Sequence, residues 1–214
     1  MPIVQLQSEF AAALSIAPPE YTWAGKPSAA GNAGKEIIVT DFNRSRWYSD
    51  GTYWRPVGGE QVVHNPILTN ATASSATLAL VASVPGWQMP ANLADTIGIS
   101  IRTFMSAVVT SGASSVQQRN IYAGVTGATG CCLRHQYTTA SAAHQGSATA
   151  WRNSENGAFI ASAANGGSSQ SGNGGGDASS SQIKAAPISL YYQGGNPDGS
   201  EVIRFDHFSI SIRG

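Results

Sequence analysis

Apolar and polar residues alternate with a period of two along much of this 214-residue chain, a pattern that predicts short, half-buried β-strands. Over residues 97–105, Ile97, Ile99 and Ile101 alternate with Gly98, Ser100 and Arg102. Over 119–125, Ile121, Ala123 and Val125 stand opposite Asn120 and Tyr122, and over 131–137 Leu133 alternates with Arg134. Residues 76–82 place Leu78 and Leu80 on one expected core face. Further strands are predicted at 149–152, 158–163 and 187–192. The last, 201–213, changes parity midway: Ile203 and Phe205 share one phase, Phe208, Ile210 and Ile212 the other. One extra residue near Asp206 and His207, the signature of a β-bulge, brings both sets onto one face.

Upstream, residues 36–63 alternate β-branched and aromatic residues around Asp50-Gly51, predicting strands at 36–41, 45–49 and 52–56. Asp-Gly between such runs is a strong hairpin signal and predicts a type I′ turn with positive φ at both residues. Residues 1–35 hold a short apolar-periodic stretch (Val4, Leu6, Phe10, Ala13, Leu14), then Pro18-Pro19 and GKPSAAGNAGK. Pro-Pro ends any helix and the Gly-rich run favours an extended arm that orders against another surface, with or without one short helix. Residues 165–182 are low-complexity, with Ala178 as the one apolar side chain, and read as an exposed loop. The predicted fold is all-β: an antiparallel β-sandwich of jelly-roll type over 76–214. It follows an N-terminal arm (1–35), a β-hairpin attachment module (36–63) and a linker (64–75).

Composition narrows the function classes. Asp, Glu, Lys and Arg make up 11% of the chain, with 12 basic and 12 acidic residues and no run of like charge. An electrostatic grip on nucleic acid or an anionic membrane is not expected. Low charge removes colloidal repulsion and favours a protein whose surface neighbours cover, as in an assembly. No stretch approaches 18 consecutive apolar residues and the start lacks a basic n-region, so neither membrane insertion nor secretion is expected. Cys131 and Cys132 are adjacent. Neighbouring strand side chains diverge, so a structural disulfide between them is not expected.

The segment SRWYSDGTYWRPVGG resembles hairpin modules of phage tail-fibre and neck or collar proteins, where an aromatic strand end meets an Asp-Gly turn and a Trp-x-Pro exit. LALVASVPGWQMPANLADTIGISIRTFMSAV with RNIYAGVTG, and the ending EVIRFDHFSISIRG, are similar to the jelly-roll domain of phage structural proteins. Residues 128–185 match nothing in that pattern. The resemblance implies a virion structural protein made in the host cytoplasm, often a homotrimer. Residues 1–63 would meet other virion proteins, and the jelly roll would make subunit or host-surface contacts. Two alternatives stay open, a head decoration protein and a lectin-like carbohydrate-binding module.

Catalytic chemistry finds little support. None of His64, His135, His144 and His207 forms a metal-type pair except Asp206-His207, whose side chains diverge on a strand. Cys-Cys-x-x-His is no recognised nucleophile signature, and Cys commonly packs as a small core residue. A glycosidase-type carboxylate pair would have to come from Asp41, Asp50, Asp95, Glu155, Asp177, Asp198, Glu201 and Asp206, most of them beside turn residues. No enzyme activity, cofactor or metal is expected. Aromatic rings flanked by amides suit sugars better, which makes Trp151, Arg152, Asn153, Tyr191 and Tyr192 the candidate glycan or receptor contacts. Trp47, Trp54 and Trp87 read as packing residues.

Overall fold

The computed structural model describes residues 17–90, 93, 99–112, 119–124, 133–137, 143–152, 158–162, 178–179, 187–194 and 200–214. The chain is all-β, with three sheets whose neighbouring strands are antiparallel except at one pair. Among the described residues no helix is long and apolar enough to cross a membrane.

A small sheet of order β1-β2-β3-β4 contains β1 (Glu20–Tyr21), β2 (Glu36–Val39), β3 (Ser45–Ser49) and β4 (Trp54–Pro56). Alternation on β3 buries Ser45, Trp47 and Ser49 and exposes Arg46 and Tyr48, while β2 buries Ile37 and Val39. Trp23 stacks on Phe42 at 4.9 Å and meets Trp47 edge-on at 5.0 Å. The buried polar atoms of this aromatic core have partners. Trp47 Nε1 donates to Ser45 Oγ (2.8 Å), Ser49 Oγ to the Ala29 carbonyl (2.8 Å) and Trp54 Nε1 to the Pro27 carbonyl (2.9 Å).

The turns differ from expectation. Positive φ at two consecutive residues occurs at Asn43 (52°) and Arg44 (56°), where the Ser45 amide donates to the Phe42 carbonyl at 3.0 Å, so the type I′ geometry joins β2 to β3. At Asp50-Gly51 only Gly51 has positive φ (92°). There the Asp50 Oδ1 accepts the amides of Thr52 (2.8 Å) and Tyr53 (2.6 Å) and closes a longer loop between Ser49 and Trp54. A short acidic side chain can satisfy a turn's amides by itself, which relieves the backbone of the two-residue geometry. β4 accordingly starts at residue 54.

The larger sheets hold β5 (Glu60–His64), β6 (Ala71–Ala73), β7 (Ala79–Leu80), β8 (Ser100–Ser111), β9 (Arg119–Gly124), β10 (Leu133–Tyr137) and β11 (Ala143–Arg152). β12 (Ala158–Ser162), β13 (Ala178–Ser179), β14 (Ser189–Gln193) and β15 (Val202–Arg213) complete them. One sheet runs β13-β12-β11-β8-β15-β5, with β6 also on β15; the other runs β10-β9-β14-β7. The long pair β8 and β15 forms the centre of the seven-stranded sheet. Its register shifts between Phe205, opposite Ala107, and His207, opposite Ser106, leaving Asp206 as the extra residue. The predicted bulge is therefore present. It lets Ile203, Phe205, Phe208, Ile210 and Ile212 all reach the core, each buried.

Across that core lie Ile121, Leu190 and Tyr192 of the four-stranded sheet, with the Tyr192 ring edge-on to Phe205 at 6.4 Å. The chain between β7 and β8 adds Val81, Val84, Trp87, Met89 and Leu93. Trp87 exchanges backbone hydrogen bonds with Ile188 (2.9 and 2.8 Å), and its ring meets Phe42 at 5.9 Å, tying the small sheet to the larger core.

Several expected boundaries fall differently. The described part of the expected arm is drawn into the small sheet: β1 pairs in parallel with β2, and the Trp23 amide donates to Asp41 Oδ1 at 2.8 Å. Burial of Trp23 supplies the reason, since a large indole gains roughly 2–3 kcal/mol on leaving water. The expected linker contributes β6, and β5 pairs with the end of β15. Leu80 is 53% exposed and Leu78 half-buried, because β7 is an edge strand and Val81 and Val84 take the core positions. Of the 165–182 segment, Ala178 and Ser179 pair with β12; its remaining residues, like 1–16 and Cys131-Cys132, lie outside the described residues.

Candidate functional site

Of the five residues singled out from the sequence, the two whose side chains are described, Tyr191 and Tyr192, do not share a face. Trp151 and Arg152 end β11, with Trp151 opposite Ser100 of β8; Asn153 lies outside the described residues. Tyr191 is half-buried on β14, between Tyr122 and Leu80 in the register. Tyr192 is fully buried, and its hydroxyl donates to the buried carboxylate of Glu201 at 2.6 Å. Adjacent strand residues face opposite ways, so at most one of two neighbouring tyrosines could present its ring to solvent. Tyr192 rests on Phe205, opposite Ala107, whereas Trp151 sits opposite Ser100. That separation along β8 is seven residues, roughly 23 Å at about 3.3 Å per residue.

Among the described residues, two recesses flank Trp54 on the small sheet. One, of about 510 Å³, has an apolar floor of Pro19, Tyr21, Ile37 and Trp54. Its rim is tied together by the Arg46–Glu36 ion pair and by Lys35 Nζ donating to Asn32 Oδ1 at 3.2 Å. The other, about 350 Å³, lies between Trp23, Lys26, Thr52 and Tyr53. There Lys26 Nζ sits 4.0 Å above the Trp23 ring and donates to the Trp23 carbonyl at 3.0 Å. Burial lowers the Lys26 pKa, against the pull of Asp41. Arg55 covers the Tyr53 ring at 5.2 Å while pairing with Asp50 at 2.8 Å. In this second recess cations already cover the Trp23 and Tyr53 ring faces.

The described carboxylates are engaged in structure. Asp41 caps the Trp23 amide, Asp206 pairs with Arg204 at 2.7 Å and Glu201 holds Tyr192. Asp50 is pulled down to about 2 by the Tyr53 amide first, then by Arg55 and the Thr52 amide, so at neutral pH it is a fixed acceptor. Asp95, Glu155, Asp177 and Asp198 lie outside the described residues. Among the histidines, His64 Nε2 lies 3.0 Å from the Pro85 carbonyl, and burial lowers its pKa against that hydrogen bond. Asp206 and His207 turn apart at the bulge, one to Arg204 and the other to Ser209 Oγ at 3.0 Å. Among the described residues no three His, Cys, Asp or Glu side chains gather as a metal would require.

Sequence reading missed the joint role of Trp23 and Trp54 in shaping the recesses. Each indole stands two residues before Gly25 or Pro56, and only the return of the 22–32 segment over the sheet, with Trp54 Nε1 donating to the Pro27 carbonyl, brings them together. No protein-family model matches the chain, and no curated protein matches it significantly.

Proposed function

We propose that the chain is a non-enzymatic structural component of a bacteriophage virion, a tail-fibre or appendage subunit. On this reading residues 1–63 attach it to other virion proteins, and a jelly roll makes subunit or host-surface contacts in a homotrimer. One observation carries the fold half of the reading: the strands pair in nested order. β6 pairs with β15, β7 with β14, β8 with β11 and β9 with β10. First meets last and the middle strands meet each other, as in a long ribbon doubled on itself. The sheet orders β6-β15-β8-β11 and β7-β14-β9-β10 are those that wrapping such a ribbon would give, which supports the jelly-roll reading. β12 and β13 extend the edge at β11, and β5 links the small sheet to β15.

The virion half rests on the hairpin and strand motifs described above and on the low, balanced charge. The apolar-floored recess beside Trp54 lies within the segment assigned to attachment and gives it a surface on which a neighbour's side chain can anchor. Mass spectrometry of gradient-purified particles, with immunogold labelling, tests the reading. The chain should appear in particles at a fixed stoichiometry and label at an appendage. Its absence from infectious particles would refute it.

A further inference from the structure

We infer that the recess beside Trp54 is the seat of this chain's own N-terminal segment, residues 3–16, docked there as an amphipathic helix until a neighbour displaces it. The docking itself needs no virion; only its meaning, a mask over the attachment surface, rests on the function proposed above. Ile3, Leu6, Phe10, Ala13, Leu14 and Ala17 recur at spacings of three, four, three, one and three residues, the period of one helical face. At about 100° per residue all six fall in a stripe roughly 100° wide, while Gln5, Ser8 and Ser15 fall on the other side. Pro18 and Pro19 end the pattern. A helix of this length is marginal in water unless its apolar stripe is covered.

The last residue of the stripe already stands at a surface that can cover it. Ala17 lines the recess together with Pro19, Tyr21 and Trp54. Ala17 and Pro19 are exposed and Tyr21 is half-buried, so apolar lining is left open among the described residues. Leu14, three residues earlier, lies no more than about 11 Å from Ala17 in an extended chain and roughly 4.5 Å along a helix. At about 510 Å³ the recess has room for more than one apolar side chain.

Charge agrees with this occupant. Lys35 and Arg46 against Glu36 give the lining one positive charge in excess. Residues 1–16 carry one charged side chain, Glu9, which borders the stripe four positions before Ala13. With Arg46 paired to Glu36, Lys35 is the cation that Glu9 meets. Tethering selects the chain's own segment over a neighbour's, because a segment joined directly to the recess wall acts at about millimolar effective concentration. The free subunit therefore fills the recess from within, and a partner that anchors there must first expel the helix.

Hydroxyl-radical footprinting of the full chain, read at Tyr21 with Tyr191 on β14 as the reference, tests the inference. Tyr21 should be protected in the parent and lose that protection in Leu14→Asp, with circular dichroism showing the strands retained. Glu9→Lys and Lys35→Glu should each unmask Tyr21, and combining them should restore the protection; Lys35 is exposed, so its reversal leaves the core intact. Equal labelling of Tyr21 in the parent and Leu14→Asp, or a double charge variant that stays unmasked, overturns the inference. Protection that fades when the parent is diluted also overturns it, since a neighbouring copy's segment would then fill the recess. Should Leu14→Asp unfold, the charge variants decide, and labelling that ignores both single reversals overturns it. Every readout uses the isolated chain, so failure here leaves the particle test of the proposed function standing.

Discussion

Deleting Asp206 should leave the protein folded and nearly as stable, whereas deleting Ser209, three positions on in the same strand, should cost several kcal/mol. Asp206 is the residue by which β15 exceeds β8 between Phe205 and His207. Its removal makes the strand regular: Phe205 stays in, His207 out, and Phe208, Ile210 and Ile212 keep both parity and partners. What is lost is an exposed ion pair with Arg204. Removing Ser209 has no such escape. If the bulge persists, Ile210 and Ile212, both fully buried, turn outward, which forfeits roughly 1.5–3 kcal/mol each. If the bulge is ironed out instead, their register is saved, but Phe208 turns outward and His207 inward. Vacating a buried phenylalanine site costs about 3–5 kcal/mol, and an imidazole brought inside without a partner adds about 1–3 kcal/mol. By either route the loss is at least about 3 kcal/mol, which for a chain of this size lowers the melting temperature by roughly 6–12 °C. Thermal melts followed by circular dichroism, with urea titrations for the free energies, measure both deletions. Equal destabilisation by the two, or an unchanged melt for the Ser209 deletion, would refute the bulge argument.

Gly51→Val should destabilise the chain by about 1–2 kcal/mol, since φ is +92° there and a β-branched residue is strained at positive φ; urea denaturation checks it, and an unchanged midpoint would show that the loop relaxes freely. Arg44→Gly should raise the melting temperature, because Arg44 occupies the second central position of the type I′ turn at φ 56° and its ion pair with Glu20 is exposed; a lower melting temperature would mean that the pair outweighs the strain. His64 has a folded pKa below 6.5, so in the window beneath 6.5 the unfolded chain binds the proton first. Its contribution is intact above that value and is lost as pH falls towards the folded pKa. The melting temperature of His64→Gln should therefore fall less steeply than the parent's between about pH 7 and 5, and parallel curves would exclude His64 as the source.

The sequence by itself determined where most strands lie and, on β8 and β15, which residues face inward. Period-two alternation located β8, β9, β10, β12, β14 and β15, and the parity change at Asp206 revealed the bulge, because strand geometry ties facing to sequence position with no outside reference. It did not reveal β1 or β6. Glu20–Tyr21 and Ala71–Ala73 carry no alternation of their own and become strands only because β2 and β15 offer edges to pair with. Turn type was equally out of reach. Asp50-Gly51 has the composition of a type I′ turn, yet the Asp50 carboxylate caps the loop, and Asn43-Arg44 takes the tight geometry between strands that must come together. The candidate contacts show the same division. Adjacent tyrosines at 191 and 192 must face opposite ways, but which one is buried depends on Glu201, just before the next strand's start, and Phe205, within that strand, packing against it across the core. Likewise the recess at Trp54 needs Pro19, Tyr21 and Pro27 to return over the sheet. Local pattern sets parity; long-range pairing decides which parity is covered, and so which residues are left to meet a partner.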